Sequence, residues 1–361
     1  MQLKYGMNPN QDFAEVIDPS NSFQVLNGKP SVINVLDALN SWQLVKEAKA
    51  CIGLPTATSF KHVTPSGVAA AITLSENELK ANLVKIEPSP LASAYIRARG
   101  VDRLASFGDF IALSDVVDVE TAKIIKSEVS DGVIAPGYSD EALELLKEKK
   151  KGAYVIFSID PNYIPEEMES RQVFGITIRQ KRNMLNITKD FLSNVVTKTN
   201  QITDKIINDL LLGMITLKYT QSNSLCAVYN GQVIGIGSGQ QSRILCSGLA
   251  LGKANVWCQK QQLDYSFMDE TSGMKRTEMD QFIEQQRELQ LGNQIVLNQL
   301  DGVCLISDGF FPQTDNIELA HNYGIKFIAS PMGSIRDQEI IETADKYGIT
   351  FINTGVRLFH H

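Results

Sequence analysis

Ala57-Thr58-Ser59-Phe60-Lys61-His62-Val63-Thr64-Pro65-Ser66-Gly67 is the stretch around which the rest of the chain arranges itself. A short apolar, β-prone run leads into Lys61 and His62. Thr-Pro-Ser-Gly then interrupts the chain, and Val68 to Leu74 is rich in alanine. The pattern predicts strand, turn, helix, with two proton-handling side chains at the strand's carboxyl end. In open α/β sheets ligands sit at that end. A helix N-terminus just beyond it would offer free N–H groups to an anion. Histidine titrates near neutrality, and a desolvated lysine can do so too. The plainer alternative is a surface lysine beside a half-buried histidine.

Working outward, residues 31–54 carry apolar side chains at helical spacing (Val32, Val35, Leu36, Leu39, Leu44, Ala48) and end at Gly53, which predicts a helix. Residues 3–11 are polar and turn-rich, a composition that frays at a terminus unless it closes over a ligand. Beyond the central stretch, 107–113, 132–136 and 153–159 predict strands, and 119–129 and 140–150 predict helices, the second closed by Gly152. Such alternation implies a largely parallel sheet. Asp160-Pro161 to Pro165 marks a boundary, and 186–218 is mainly helical.

The clearest local signal is Ser224 to Gly237, where two apolar runs flank Asn230-Gly231. That pair favours positive φ at both turn positions and predicts a β-hairpin. Gly235-Ile-Gly237-Ser-Gly239 follows on its second arm. The spacing is not that of a dinucleotide fingerprint and no ribose-binding acid stands in place, so a Rossmann site is rejected. Arg243 at the start of the next helix suits a phosphate or carboxylate, or a local pair. The last sixty residues repeat strand, loop, helix twice: 303–307, a loop from Asp308, a helix from Asp315 to Gly324; then 325–330, a loop through Ser334, and a helix to Gly348. Ser334 and Asp337 fit a capping box. Phe310 and Phe311, in an otherwise polar loop, suit either ligand stacking or packing. Both loops fall on the side where the Lys61-His62 pair was placed.

Composition narrows the function classes. The chain has 361 residues, 43% hydrophobic and 21% charged, enough for two or three domains of roughly 150 residues. The net charge is −7, and the single dense basic run, Lys147 to Lys151, continues a helical pattern and reads as a solvated face. Nothing marks a nucleic-acid or membrane surface, and Met1 to Tyr5 opens no apolar leader. Cysteines at 51, 226, 246, 258 and 304 have neither metal-ligand nor disulfide-framework spacing, which fits reduced thiols in a cytoplasmic protein.

Taken together, the segments resemble the formyltransferase portion of the bifunctional AICAR transformylase/inosinate cyclohydrolase family of purine biosynthesis. The resemblance runs in order through Leu3-Lys-Tyr-Gly-Met-Asn-Pro, Ser59-Phe-Lys-His-Val-Thr-Pro-Ser-Gly, Ser106-Phe-Gly-Asp-Phe, Val129-Ser-Asp-Gly-Val-Ile-Ala-Pro-Gly, Lys218-Tyr-Thr-Gln-Ser-Asn-Ser, Gly231 to Arg243, and Ser307-Asp-Gly-Phe-Phe-Pro to Arg357-Leu-Phe-His-His. It implies two cytidine-deaminase-like α/β/α lobes: residues 1–160 with the Lys-His motif, and 218–361 with inserted helices at about 255–295. A mainly helical connector, 161–217, joins them. Zinc deaminase chemistry is not implied, because no H-x-E with P-C-x-x-C is present.

The resemblance also implies formyl transfer from 10-formyltetrahydrofolate to the 5-amino group of AICAR. His62 would be the base, Lys61 its partner, and Asn223 the amide that fixes geometry around the formyl group. AICAR would be held by Lys4, Tyr5, Phe107, Gly108, Asp131, Arg243, Phe310 and Arg357. The folate would meet Ile244, Gln281, Pro312, Asp315, Asn316 and Ser334. A homodimer with sites built from both subunits is implied, as is room for a structural potassium ion. Leu3 already falls in the transformylase portion, so closure to inosine monophosphate is expected to need a separate cyclohydrolase. The sequence departs from the family pattern at Lys4 (usually arginine), at Asn10 and Leu245 (usually histidine) and at Gly248 (usually arginine). Gln313 replaces an aromatic and Gln281 an asparagine, which bears on the formyl donor. A transformylase with a different donor, or a non-catalytic nucleotide-binding paralogue, are the alternatives.

Overall fold

The computed structural model describes residues 1–85 and 87–361, and Asp269 by its backbone only. The first part of the chain runs β1 (Phe23–Asn27), α1 (Val32–Ile52), β2 (Thr56–Lys61), β3 (Thr64–Ala70), α2 (Glu76–Ala81), α3 (Pro90–Gly100), β4 (Asp109–Leu113), α4 (Val119–Ser127), β5 (Ser130–Ala135), α5 (Asp140–Lys147) and β6 (Val155–Ile159). A separate hairpin follows, β7 (Met168–Val173) and β8 (Ile176–Lys181). The second part runs α6 (Asp204–Lys218), β9 (Leu225–Tyr229), β10 (Gln232–Gly237), α7 (Arg243–Gln261), α8 (Arg276–Leu291), β11 (Cys304–Ser307), α9 (Asp315–Asn322), β12 (Phe327–Ser330), α10 (Asp337–Lys346) and β13 (Thr350–Asn353).

Eleven of these strands form one sheet, in the order β1-β6-β5-β4-β2-β3-β10-β9-β11-β12-β13. The order exposes a duplication. Reading outward from the centre, β3-β2-β4-β5-β6 matches β10-β9-β11-β12-β13. Each set is preceded by one helix, α1 or α6, and its later strands alternate with helices. The sheet is therefore mixed rather than largely parallel: β4-β5-β6 and β11-β12-β13 are parallel, while the central hairpins are antiparallel. The halves join where β3 pairs with β10, Ala69 opposite Gln232 and Val68 opposite Val233. One face of the sheet is covered by α1 and α6 through a shared core (Val45, Phe60, Phe110, Leu210, Val228, Ile306). The other is covered separately, by α3, α4 and α5 over the first half and by α7, α9 and α10 over the second. Apolar side chains on both faces are what a fully covered sheet requires.

The central stretch departs from its sequence reading. Residues 64–70 are a strand, not a helix, so no helix N-terminus stands beside Lys61 and His62. Three features account for this. Val68, Ala69 and Ala70 are wholly buried between neighbouring strands, where ladder pairing outweighs the helix propensity of alanine. Pro65, which cannot donate to a ladder, sits at a bulge: Phe60 faces Pro65 and Ser59 faces Gly67. A Cβ on Gly67 would lie 2.1 Å from the Ala98 carbonyl oxygen of α3. The same device recurs in the second half, where a Cβ on Gly235 would lie 2.2 Å from the Ala250 oxygen of α7. The glycines of Gly235-Ile-Gly237 thus admit a helix and not a dinucleotide.

Other expectations hold with small changes. Gly53 closes α1 in the left-handed conformation, and Asn230-Gly231 turns β9 into β10 with φ of 51° and 68°. The stretch 161–217 is less helical than expected, because 168–181 form the exposed hairpin β7-β8 before α6 begins. Arg336, not Ser334, is the N-cap residue of α10; Asp337 accepts from the Gly333 and Ser334 amides. In the second half α7 covers the sheet as α3 does in the first, and α8 lies within the stretch 255–295. Helix α8 is fastened to the first half by Arg276 and Arg103, which share buried Glu128 with Arg99. Burial alone would raise the Glu128 carboxyl, but the three guanidinium groups hold it at about 2.

Candidate functional site

Two residues turn β2 into β3, His62 and Val63, with φ of 54° and 58°. This is the left-handed region, which costs a β-branched residue roughly 1–2 kcal/mol. The turn is held from the side: Asp37 of α1 accepts the Val63 N–H at 2.6 Å. Burial raises the Asp37 carboxyl to about 6, against the pull of that N–H and of His62. The turn so presents His62 to solvent and leaves Lys61 half-buried. The Lys61 ammonium donates to the Phe107 carbonyl at 2.7 Å. Gly108 follows at φ 74°, and its N–H reaches the Val129 carbonyl, which brings Asp131 alongside.

These groups line an open cavity of about 370 Å³ together with Lys4, Tyr5, Lys29 and Lys150. The N-terminal segment is not frayed: Leu3 is buried, its N–H donates to Ala14, and the Lys4 N–H donates to Pro30. Lys150 pairs with Asp131 at 2.7 Å. The basic run 147–151 is therefore only partly a solvated face. Lys149 is buried over the Tyr154 ring and donates to the Ile125 and Glu128 carbonyls, and its burial lowers its pKa to about 8. Four lysines against two carboxylates make this cavity suited to an anionic ligand.

A second cluster forms where β9 begins and β11 ends. Asp308, wholly buried, accepts from the Ser222 hydroxyl at 2.6 Å and from the Ser224 N–H at 2.9 Å. Its other oxygen takes the Arg243 guanidinium at 2.6 Å. Arg243 also donates to the Ser307 hydroxyl and, at 2.7 Å, to the Asn223 side-chain oxygen. Arg243 thus makes the local pair that the sequence left open beside a phosphate or carboxylate contact. Phe310 is exposed nearby, while Phe311 is buried edge-on against Phe351. The exposed Arg357 lies 4.6 Å from the Phe359 ring, and that ring and Arg243 both crowd Gly309.

Both clusters lie on one edge of the sheet. β3 and β10 are antiparallel, so Thr64 and the end of β10 share that edge. The route differs from a simple open sheet: Lys61 ends β2, but that edge carries the amino ends of β4, β5 and β6, because β2 is antiparallel to β4. Between β2 and β9 stand β3 and β10, three strand spacings or about 14 Å of backbone.

A family model described as "AICARFT/IMPCHase bienzyme" matches residues 1–253. The chain belongs to this family. The bifunctional purine biosynthesis protein PurH of Clostridium botulinum (strain 657 / Type Ba4) is 32% identical over 370 residues, covering 100% of this chain and 59% of that protein. PurH of Staphylococcus epidermidis (strain ATCC 12228 / FDA PCI 1200) is 31% identical over 365 residues, covering 99% of this chain and 61% of that protein. The chain thus spans about three-fifths of the length of these curated relatives.

Within this AICARFT/IMPCHase chain, the expected site residues fall into two sets. Lys4, Tyr5, Lys61, His62, Gly108 and Asp131 meet at the first cavity, and the Phe107 carbonyl meets Lys61 while its ring is exposed. Asn223 and Arg243 are joined in the second cluster, with Phe310 and Arg357 on the loops around it. Of the residues expected at folate, Asn316 is buried and accepts from Ser247, and its amide donates to Asp315. Ile244 begins the same helix turn as Arg243, Pro312 is exposed, and the Ser334 hydroxyl accepts the Arg336 N–H. Gln281 is exposed on α8, beside Asp280, which pairs with Arg103 of the first half. It shares no hydrogen bond with the other five among the described residues.

Sequence reasoning missed Asp37, Lys29 and Lys150 at the first cavity, and Asp308 and Phe359 at the second. Asp37 had one legible signal, an acid on the apolar face of α1 between Val35 and Ala38. Asp308 gave none beyond its place after a buried strand. Among the described residues no group of three or more His, Cys, Asp or Glu side chains could hold a metal ion, and no helix is long and apolar enough to cross a membrane.

Proposed function

We propose that this chain transfers the formyl group of 10-formyltetrahydrofolate to the 5-amino group of AICAR, giving formyl-AICAR and tetrahydrofolate in purine biosynthesis. The observation that carries this reading is Lys61-His62, presented by a strained turn at the rim of a lysine-rich cavity. The amine of AICAR is a weak nucleophile, because its lone pair is delocalised toward the neighbouring carboxamide. His62 accepts its proton as it attacks the formyl carbon. Lys61, directed into the site by its bond to the Phe107 carbonyl, stabilises the developing oxyanion and helps protonate the departing N10. Lys4, Lys29 and Lys150 suit the 5′-phosphate as point charges, and Asp131 suits a ribose hydroxyl or amine.

Asn223 and Arg243 complete the site from a second subunit in a homodimer. Three features support this arrangement. The clusters share one edge, but β2 and β9, the strands beside His62 and Asn223, stand three strand spacings or about 14 Å apart in one chain. Leu245 and Leu249 are exposed on α7, with 63% and 44% of their surface accessible. The β7-β8 hairpin ends in a fully exposed Phe174.

Tetrahydrofolate release on mixing the protein with AICAR and 10-formyltetrahydrofolate tests the reading, alongside His62→Ala. Turnover that disappears in the variant supports the reaction and the base together. Turnover that survives moves the base elsewhere. AICAR binding without any turnover by the parent protein points to another formyl donor.

A further inference from the structure

We propose that Asp37 is the positioning residue of the formyl-transfer site: it holds the two-residue turn that aims His62 into the cavity. The inference rests on the reading above for its kinetic consequence, but its structural content stands apart.

Four observations carry it. His62 and Val63 are consecutive non-glycine residues at φ of 54° and 58°, and Val63 is β-branched. Such a conformation persists only where the surroundings over-determine it. The Val63 N–H has one partner, the carboxylate of Asp37 at 2.6 Å, and that carboxylate is buried beneath the turn on α1. The link is long-range, so it ties the hairpin to the helix that crosses the sheet. Finally, the second half of the chain contains the same device. Asp209 is the sixth residue of α6, as Asp37 is of α1, and it accepts from the Asn230 and Gly231 N–H groups at 2.9 and 2.5 Å. There the turn residues are Asn and Gly, which adopt positive φ at little cost. In the first half that cost is carried by His62 and Val63, and the anchor is correspondingly more important.

Asp37 acts through geometry and not as an acid on the substrate. An acceptor oxygen is all the turn requires, so Asp37→Asn retains the contact and Asp37→Ala removes it. Glycine at position 63 removes the need for it.

The experiment compares Asp37→Ala, Asp37→Asn, Val63→Gly and the Asp37→Ala/Val63→Gly double variant, with Asp209→Asn as the control in the other half. Steady-state turnover of AICAR and 10-formyltetrahydrofolate is read beside amide hydrogen exchange of the peptide spanning 60–66. Asp37→Ala is expected to lower kcat 30- to 100-fold with KM for AICAR within threefold, and to lose protection at Val63. Asp37→Asn is expected to keep kcat within fivefold of the parent protein. The double variant is expected to recover at least tenfold over Asp37→Ala. Asp209→Asn is expected to leave kcat unchanged. The proposal is overturned if Asp37→Ala turns over normally, if Asp37→Asn falls as far as Asp37→Ala, or if Val63→Gly gives no recovery; the last two outcomes make the carboxylate itself the working group. Absence of turnover in the parent protein sinks the formyl-transfer reading alone, and exchange at Val63 still decides whether Asp37 holds the turn.

Discussion

The two central hairpins differ in the residues they place at the same kind of turn. Each half of the sheet reverses on two successive residues with positive φ, and each is pinned by an aspartate from the sixth position of the preceding helix. In the second half the turn is Asn230-Gly231, and Arg97 adds a clamp by donating to the Asn230 carbonyl at 2.6 Å and to the Ala70 carbonyl at 2.9 Å. In the first half the turn is His62-Val63, exposed at the rim of a cavity with four lysines. The same backbone geometry closes a turn at the joint between the halves in one place and, in the other, presents His62, the base in the proposed reaction, at the cavity rim. A duplicated fold thus shows which of two equivalent turns departs from favourable local chemistry.

Grafting the second turn onto the first makes the strongest test of that contrast. His62→Asn with Val63→Gly supplies residues suited to positive φ, so the folded state is expected to gain about 1 kcal/mol, a rise in melting temperature of about 1 °C for a chain of this length. Formyl transfer is expected to fall by about a thousandfold, the scale of a lost general base. A graft that keeps its activity would remove His62 from the mechanism.

The opposite change probes the structural turn. Arg97 is 1% exposed and bonds across the joint between the halves. Arg97→Ala leaves the buried Ala70 carbonyl, the half-buried Asn230 carbonyl and Glu78 without it, and is expected to cost about 2–4 kcal/mol in urea unfolding with kcat within twofold. A loss of kcat as large as that of His62→Ala would show that the two edges are coupled.

Asp37 provides a pH test. Its carboxyl titrates near 6 when folded, against an ordinary value of 3.8, because burial disfavours the charged form. The folded state therefore binds more protons between these values, and stability falls as pH rises through that window. The contribution is about 2 kcal/mol between pH 4 and 7. Asp37→Asn has no charge to bury, so its stability relative to the parent is expected to grow by that amount over the same range. A flat difference across pH 4–7 would mean that Asp37 is well solvated.

Asp209→Asn is the mildest change. The carboxylate takes the Asn230 and Gly231 N–H groups on separate oxygens, so the amide keeps one contact and turns its NH2 on the other donor, with an expected cost of about 1–3 kcal/mol and no effect on turnover. A larger loss would mean that charge, and not the acceptor alone, holds Asn230-Gly231.

Local chemistry determined a good part of this protein. Gly53, Gly324 and Gly348 mark helix ends by a conformation that other residues resist, and Asn230-Gly231 marks a hairpin for the same reason. The alternation of strands and helices in 107–159 and 303–353 follows from side-chain periodicity, and it revealed both parallel triplets. The Lys61-His62 pair was visible as proton-handling groups at a strand end. What periodicity does not encode is pairing across distance. Residues 68–70 look helical alone and become a strand because β2 and β10 flank them and α3 presses on Gly67. The joint between β3 and β10 set both clusters on one edge, and it alone separated Asn223 and Arg243 from His62. Asp37 and Asp308 became functional candidates only when the fold buried their carboxylates beside a strained turn and a guanidinium. Burial and long-range hydrogen bonds are properties of assembled elements, so the sequence could name the reactive side chains while the tertiary structure decided which of them meet.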